Sequence, residues 1–200
     1  SKNDKIKDVV ERFKNKKYSI KYFRETEHRG NISYNINNAI KHCSGDLIKI
    51  MFMDDYLMVY TAISDMVKQF QKHLDSKWLV CSYLHTYDYR KLHRLINPKF
   101  NPKMCLGINT IGSPSNLMFR KEVTERFDLN VKWYMDCDLY HRLFFKYGKP
   151  ILLHKPLVVN LLHGNQVTNT DVTRELKDKE DLILYIFIYN LSLILFIQIS

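Results

Sequence analysis

Apolar positions recur at helical spacing in the first stretch of the chain. Ile6, Val9, Val10 and Phe13 lie about 3.6 residues apart with charges between them, which predicts a helix over Lys5–Lys16. Tyr18–Phe23 alternates and is rich in β-formers, so it reads as a strand. A second helix is predicted from Gly30-Asn31, with Ile32, Ile36, Ala39, Ile40 and Cys43 as its apolar stripe and Gly45 as its C-terminal cap. Asn31, Asn35 and Asn38 share another face of that helix.

Leu47–Met53 is nearly continuous in apolar character, the mark of a central strand buried on both faces. It stops at Asp54-Asp55. A helix is predicted over Val59–His73 and a strand over Trp78–Tyr83. His85–Lys103 is polar, aromatic and basic without a clear period. Asn116–Phe119 reads as a short strand followed by a short helix, Asp136–Tyr147 as a helix, and Ile151–Leu162 as one or two strands. Strands alternating with helices predict an α/β fold with a mostly parallel sheet.

The length of 200 residues suits one ordinary domain with a sizeable core. A net charge of +10 is compatible with an anionic partner, whether nucleic acid, membrane face or phosphorylated substrate, and equally with a plain soluble basic surface. The lysines are dispersed, without a basic block or an RNA-binding signature, which disfavours nucleic acid. The four cysteines have no C-x-x-C spacing, which argues against zinc and for free buried thiols in a reducing, cytoplasmic setting. The abundance of Lys, Asn and Ile points to an AT-rich genome, such as that of a giant virus or a low-GC bacterium. Leu182–Ile199 carries no charge and nearly reaches membrane-spanning length. A buried terminal helix, a membrane anchor and a pairing tail all fit it.

Three places carry candidate chemistry. Asp54-Asp55 sits at the end of the predicted central strand, where open α/β sheets bind ligands. Adjacent carboxylates there suit a divalent cation, and they also suit a capped turn. Asp136 and Asp138 open an amphipathic helix, where acids are favoured by the helix dipole and where one could act as a general base. His163 follows the last strand and gains interest only if the fold returns it to the acids.

In this order the pieces resemble family 2 glycosyltransferases of the GT-A type. The resemblance lies in Gly30…Asn38-Ala39-Ile40…Gly45-Asp46…Met53-Asp54-Asp55, then Gly112–Arg120, then Trp133…Asp136-Cys137-Asp138-Leu139…Arg142, and finally His163…Gln166-Val167-Thr168. It covers roughly residues 1–170. It implies a nucleotide-sugar-dependent, metal-dependent inverting transferase of the hexosyltransferase type.

The implied donor is a nucleotide sugar, most commonly a UDP-sugar, with Mn²⁺ or Mg²⁺. The implied acceptor is a glycan, protein or lipid hydroxyl. Asp54 would sit near the ribose or diphosphate, Asp55 would bind the metal, His163 would lie near the diphosphate as a further ligand, and Asn38 would line the donor pocket. Asp136 would be the base, with Asp138 supporting it.

The resemblance further implies a transferase domain over residues 1–175 and an apolar tail over 176–200. The family's opening strand, turn, helix and base-reading second strand are not in the sequence, so the chain alone is expected to bind nucleotide sugar poorly. Two alternatives stand beside this reading: a truncated, non-catalytic relative, and a nucleic-acid binder using the aromatic and basic stretch Tyr83–Phe100.

Overall fold

The computed structural model describes residues 5–13, 19–164, 166 and 172–184. Two compact units, Ser1–Asn31 and Ile32–Ser200, divide the chain.

In the first unit, helix α1 spans Lys5–Phe13 and buries no residue. Residues 19–26 form no strand, contrary to the pattern reading. Alternation alone does not make a strand, because its backbone groups need a partner, and no other strand lies among the described residues of this unit.

The second unit begins with α2 (Ile32–Lys41), then β1 (Leu47–Lys49), β2 (Tyr56–Leu57), α3 (Ala62–Lys72), β3 (Trp78–Thr86), β4 (Leu92–Ile96), β5 (Leu117–Arg120), α4 (Met135–Tyr147) and β6 (Ile151–Leu161). A further helix, α5, spans 174–184. The boundary expected between residues 175 and 176 falls inside α5. Gly45 lies four residues beyond α2 and is not among the positive-φ glycines, so it is not the cap expected there. The short helix expected after β5 is a turn and irregular chain.

The described strands form one six-stranded sheet in the order β1-β5-β3-β6-β2, with β4 pairing β3 off that path. The α/β class is as expected, but the pairing is less parallel than expected. β3 and β6 pair in parallel, while β1·β5, β3·β5, β2·β6 and β3·β4 are antiparallel. The cause lies in the connections. Parallel neighbours need a long crossover, and the chain makes these through α3 and α4, so β1, β3 and β6 run the same way. β5 then inserts antiparallel between β1 and β3, and β2 and β4 are short edge strands.

Alternation along β3 feeds two cores. Trp78 and Val80 join Ile48, Leu117, Phe119, Leu139, Tyr140 and Leu143 on the face covered by α2 and α4. Leu79 and Cys81 join Ala62, Met66, Phe70 and Leu157 on the face covered by α3. Cys81 and Cys137 are buried free thiols, but Cys43 is exposed, contrary to expectation. Among the described residues no helix is long and apolar enough to cross a membrane. Residues 185–199 of the apolar tail lie outside the described residues.

Candidate active site

The co-directional strands β1, β3 and β6 deliver their carboxyl ends to one edge of the sheet. The stretch after β1 brings Asp54 and Asp55 there. Asn160 and Leu161, at the end of β6, receive Asp55: the Asn160 Nδ2 donates to Asp55 Oδ2 at 2.7 Å and the Leu161 N–H to Oδ1 at 3.1 Å. The imidazole Nε2 of His163 lies 3.2 Å from Asp54 Oδ2. Residues 105 to 109 positions apart in sequence therefore meet.

Asp55 is raised above the ordinary carboxylate range, first by burial and further by the charge of Asp54. The Ser115 hydroxyl, Leu161 N–H and Asn160 amide oppose that rise by bonding the ionised form. Ser115 also accepts from the Phe52 N–H at 2.9 Å, so it ties the stretch carrying the acids to the loop before β5.

Lys49 reinforces that tie. Its half-buried ammonium donates to the carbonyls of Ile50 and Ser115. Burial pushes its pKa down to about 8, against the pull of Cys81 and Asp55.

The expected metal trio does not assemble as three converging side chains. Asp54 and His163 meet, while both oxygens of Asp55 are taken by β6. Among the described residues no group of three or more His, Cys, Asp or Glu side chains could hold an ion. The donor chemistry nonetheless fits a hard divalent cation that takes further ligands from a substrate diphosphate. Asn160 is 5% exposed and its Oδ1 has no hydrogen-bond partner among the described residues, leaving a buried oxygen unpaired beside Asp55.

The second half of the site is the start of α4. Asp136 accepts from the Asn109 amide at 2.5 Å and from the Cys137 N–H at 2.8 Å. Burial pushes its pKa up to about 6, and those hydrogen bonds hold it from rising further. Asn109 in turn accepts from the N–H groups of Ile111 and Gly112 through its own Oδ1, at 3.0 and 2.7 Å. The Tyr140 hydroxyl donates to the Gly112 carbonyl at 2.9 Å.

Gly112 is required here. At φ +102 a Cβ would meet the Tyr83 ring at 2.5 Å. The loop 109–116 thus joins Asp136 at one end to the Ser115–Asp55 contact at the other.

Asp138 is placed differently. Two positions along a helix turn it to the opposite face. There it is 5% exposed and gripped by Arg142, whose Nη2 lies 2.5 Å away and also donates to the Arg126 carbonyl at 2.7 Å. Asn38 is half-buried on α2. Its neighbour Asn37 makes the paired bonds to the Phe127 backbone, at 2.8 and 2.9 Å.

Several site residues carried no sequence signal of their own: Asn109, Ser115 as a link, Lys49, Asn160 and above all Glu180. Glu180 on α5 is fully buried. Its carboxylate accepts the N–H groups of Lys132, Trp133 and Tyr134 at 2.7, 2.8 and 2.9 Å, just before α4 begins. Its burial could not be read from the sequence, because its partners lie over forty residues away.

The sequence matches the family described as Glycosyl transferase family 2 over residues 1–128. The chain belongs to glycosyl transferase family 2. No curated protein sequence matches it at a significant level. Among solved structures, this family 2 chain is similar to a crystal structure of S. aureus TarS, residues 1–349, with a TM-score of 0.61 and 16% identity, covering 80% of this chain and 48% of that one. At that identity the likeness bears on the fold, and it supports the GT-A-like class. The family 2 chain thus spans about half the length of the TarS structure.

Proposed function

We propose that this family 2 domain serves inverting transfer of a sugar from a nucleoside diphosphate donor, such as a UDP-sugar, to an acceptor hydroxyl. The observation that carries the reading is the joining of two groups of residues through one loop. Asp54, Asp55 and His163 gather at the sheet edge, and Asp136 is bonded to the loop that also holds Asp55.

Asp136 takes the proton from the acceptor hydroxyl as its oxygen attacks the anomeric carbon, and the bond to the diphosphate oxygen breaks. A carboxyl whose pKa lies near 6 suits this work close to neutral pH. With Asp138 committed to Arg142, Asp136 is the carboxylate of α4 left to face the acceptor, which favours one displacement over a two-step route. Asp54 and His163 would hold Mn²⁺ or Mg²⁺. Such an ion would offset the charge building on the leaving diphosphate. Asp55, fixed by Asn160 and Leu161, orients the neighbouring Asp54.

The test is an electron paramagnetic resonance titration of Mn²⁺ in the presence of millimolar UDP. At millimolar UDP, enough to offset the weak nucleotide binding expected of the chain alone, the free Mn²⁺ signal is expected to fall on adding the wild-type chain and to remain on adding Asp54→Ala. A wild-type chain that leaves the signal unchanged would overturn the metal assignment.

A further inference from the structure

We propose that the acceptor is an anionic saccharide, bearing phosphate or carboxylate groups, and that Arg94 is the residue that recognises it. This rests on the reading of Asp136 as the base, because it places the acceptor on that side of the site.

The observation is a bulge in the hairpin β3–β4. Leu84 pairs with Leu95 and His85 with His93, so Arg94 is the extra residue without a partner on β3. Its φ is +27, a strained value for a side-chain-bearing residue. Bulges on edge strands beside active sites re-aim a side chain, and strain persists where the surroundings enforce it. Glycine would be the unstrained choice here, yet the position holds an arginine.

The direction of aim follows from the neighbours. The charge of Arg94 is felt by Tyr83 and His85 on β3. Tyr83 packs against Gly112 and also feels the charge of Asp136. The chain after β4 stays with the same loop: the Lys99 N–H donates to the Thr110 carbonyl at 3.0 Å, and the Thr110 hydroxyl to the Lys99 carbonyl at 2.5 Å. Thr110 adjoins Asn109, which bonds Asp136.

Among the described residues no carboxylate pairs with Arg94. The single acid between Tyr83 and Phe100 is Asp88, and it accepts the N–H groups of Arg90 and Lys91 at 3.0 Å each to close the hairpin turn. Arg94 stands at the bulge opposite Leu84 and His85, next to Tyr83, whose ring lies 5.4 Å from that of His85 and packs against Gly112 of the loop that bonds Asp136. An exposed guanidinium there, with no carboxylate partner among the described residues, matches a phosphate or carboxylate in the acceptor, which it can bind in bidentate fashion. Exposed Tyr87 and Tyr89 at the hairpin tip offer faces for sugar rings.

The experiment measures binding of the full chain to an oligogalacturonate, a polyol-phosphate oligomer and a neutral dextran oligomer of matched length, at low salt. One anionic oligomer is expected to bind about tenfold more tightly than dextran, and which one it is distinguishes carboxylate from phosphate. Arg94→Ala should abolish that margin and Arg94→Lys should recover part of it. Lys121→Ala, at the far end of β5, should leave it intact.

Arg94→Gly should raise the melting temperature while losing the margin, a combination that a merely structural arginine would not give. Mn²⁺–UDP binding, measured separately, should survive Arg94→Ala, so failure of the donor assignment is distinguishable. The proposal is overturned if dextran binds as well as both anionic oligomers, if Arg94→Ala keeps the margin, or if a single-stranded RNA of equal charge binds at least as tightly.

Discussion

Asp136 and Asp138 show how two identical side chains on one helix receive different tasks. Helical geometry sends them to opposite faces. One meets an amide and a backbone N–H, and the other meets a guanidinium. The family resemblance put Asp136 first, but the local pattern alone could not separate the two, because Asn109 and Arg126 join the helix only through the tertiary fold. Asp136→Asn should lower the transfer rate by about 10²–10⁴-fold, the usual worth of a general base. The wild-type rate should rise with pH through about 6, where Asp136 ionises, and level off above it.

The same titration has a stability signature. The folded pKa lies above the ordinary 3.8, so between the two values the folded state holds more proton than the unfolded one. Stability therefore falls as pH rises through that window. Denaturant midpoints of Asp136→Asn should lack this fall and exceed those of the wild type at neutral pH. A variant that loses both activity and stability would instead mark Asp136 as structural.

At the level of elements, α4 is held by something outside itself. The N-cap residue Tyr134 makes no side-chain cap, and the N–H groups of Lys132, Trp133 and Tyr134 are bonded by Glu180 of α5. The Tyr134 ring also presses on Gly107, where an added Cβ would lie 2.4 Å from it at φ +75. Glu180→Ala would leave three donors without their buried acceptor. It should cost about 3 kcal/mol in denaturant unfolding. Glu180→Gln, which keeps one acceptor oxygen, should cost less. Equal stability of Glu180→Ala and wild type would show that α5 does not anchor α4.

Elements with a strong period were legible: α2, α3, α4, β3 and β6 all fall within a few residues of their predicted places. β2 and β4 were not, because a two-residue strand and a bulged edge strand carry no period. The insertion of β5 between β1 and β3 was also hidden, since strand order is set by crossovers and not by local pattern. Of the site, the carboxylates and His163 were legible as types. Lys49, Asn109, Asn160 and Glu180 were not, because each acts through a partner distant in sequence.

Across the whole molecule, the charge of +10 is not one patch. Lys77, Lys146 and Lys155 pair with Glu122, Glu125 and Asp65, and Arg120 donates to the carbonyls of Ser76 and Phe70 while lying 5.1 Å over the Phe70 ring. Part of the basic character therefore serves the fold, which weakens any inference from net charge to a nucleic-acid partner.

Cohesion of the second unit comes from β3, whose alternate side chains enter both cores. If one strand holds both faces, the faces cannot melt separately. Leu79→Ala, in the core under α3, and Val80→Ala, in the core under α2 and α4, should each destabilise the protein. For Leu79→Ala the loss should be about 3 kcal/mol. Each should shift one shared transition, with helix melting by circular dichroism coinciding with tryptophan fluorescence. Trp78 belongs to the core opposite Leu79, so fluorescence reports across the sheet. A Leu79→Ala protein in which circular dichroism falls well before the fluorescence changes would show two independently melting layers, and the sheet would then not be the single frame that holds Asp54, Asp55 and Asp136 in register.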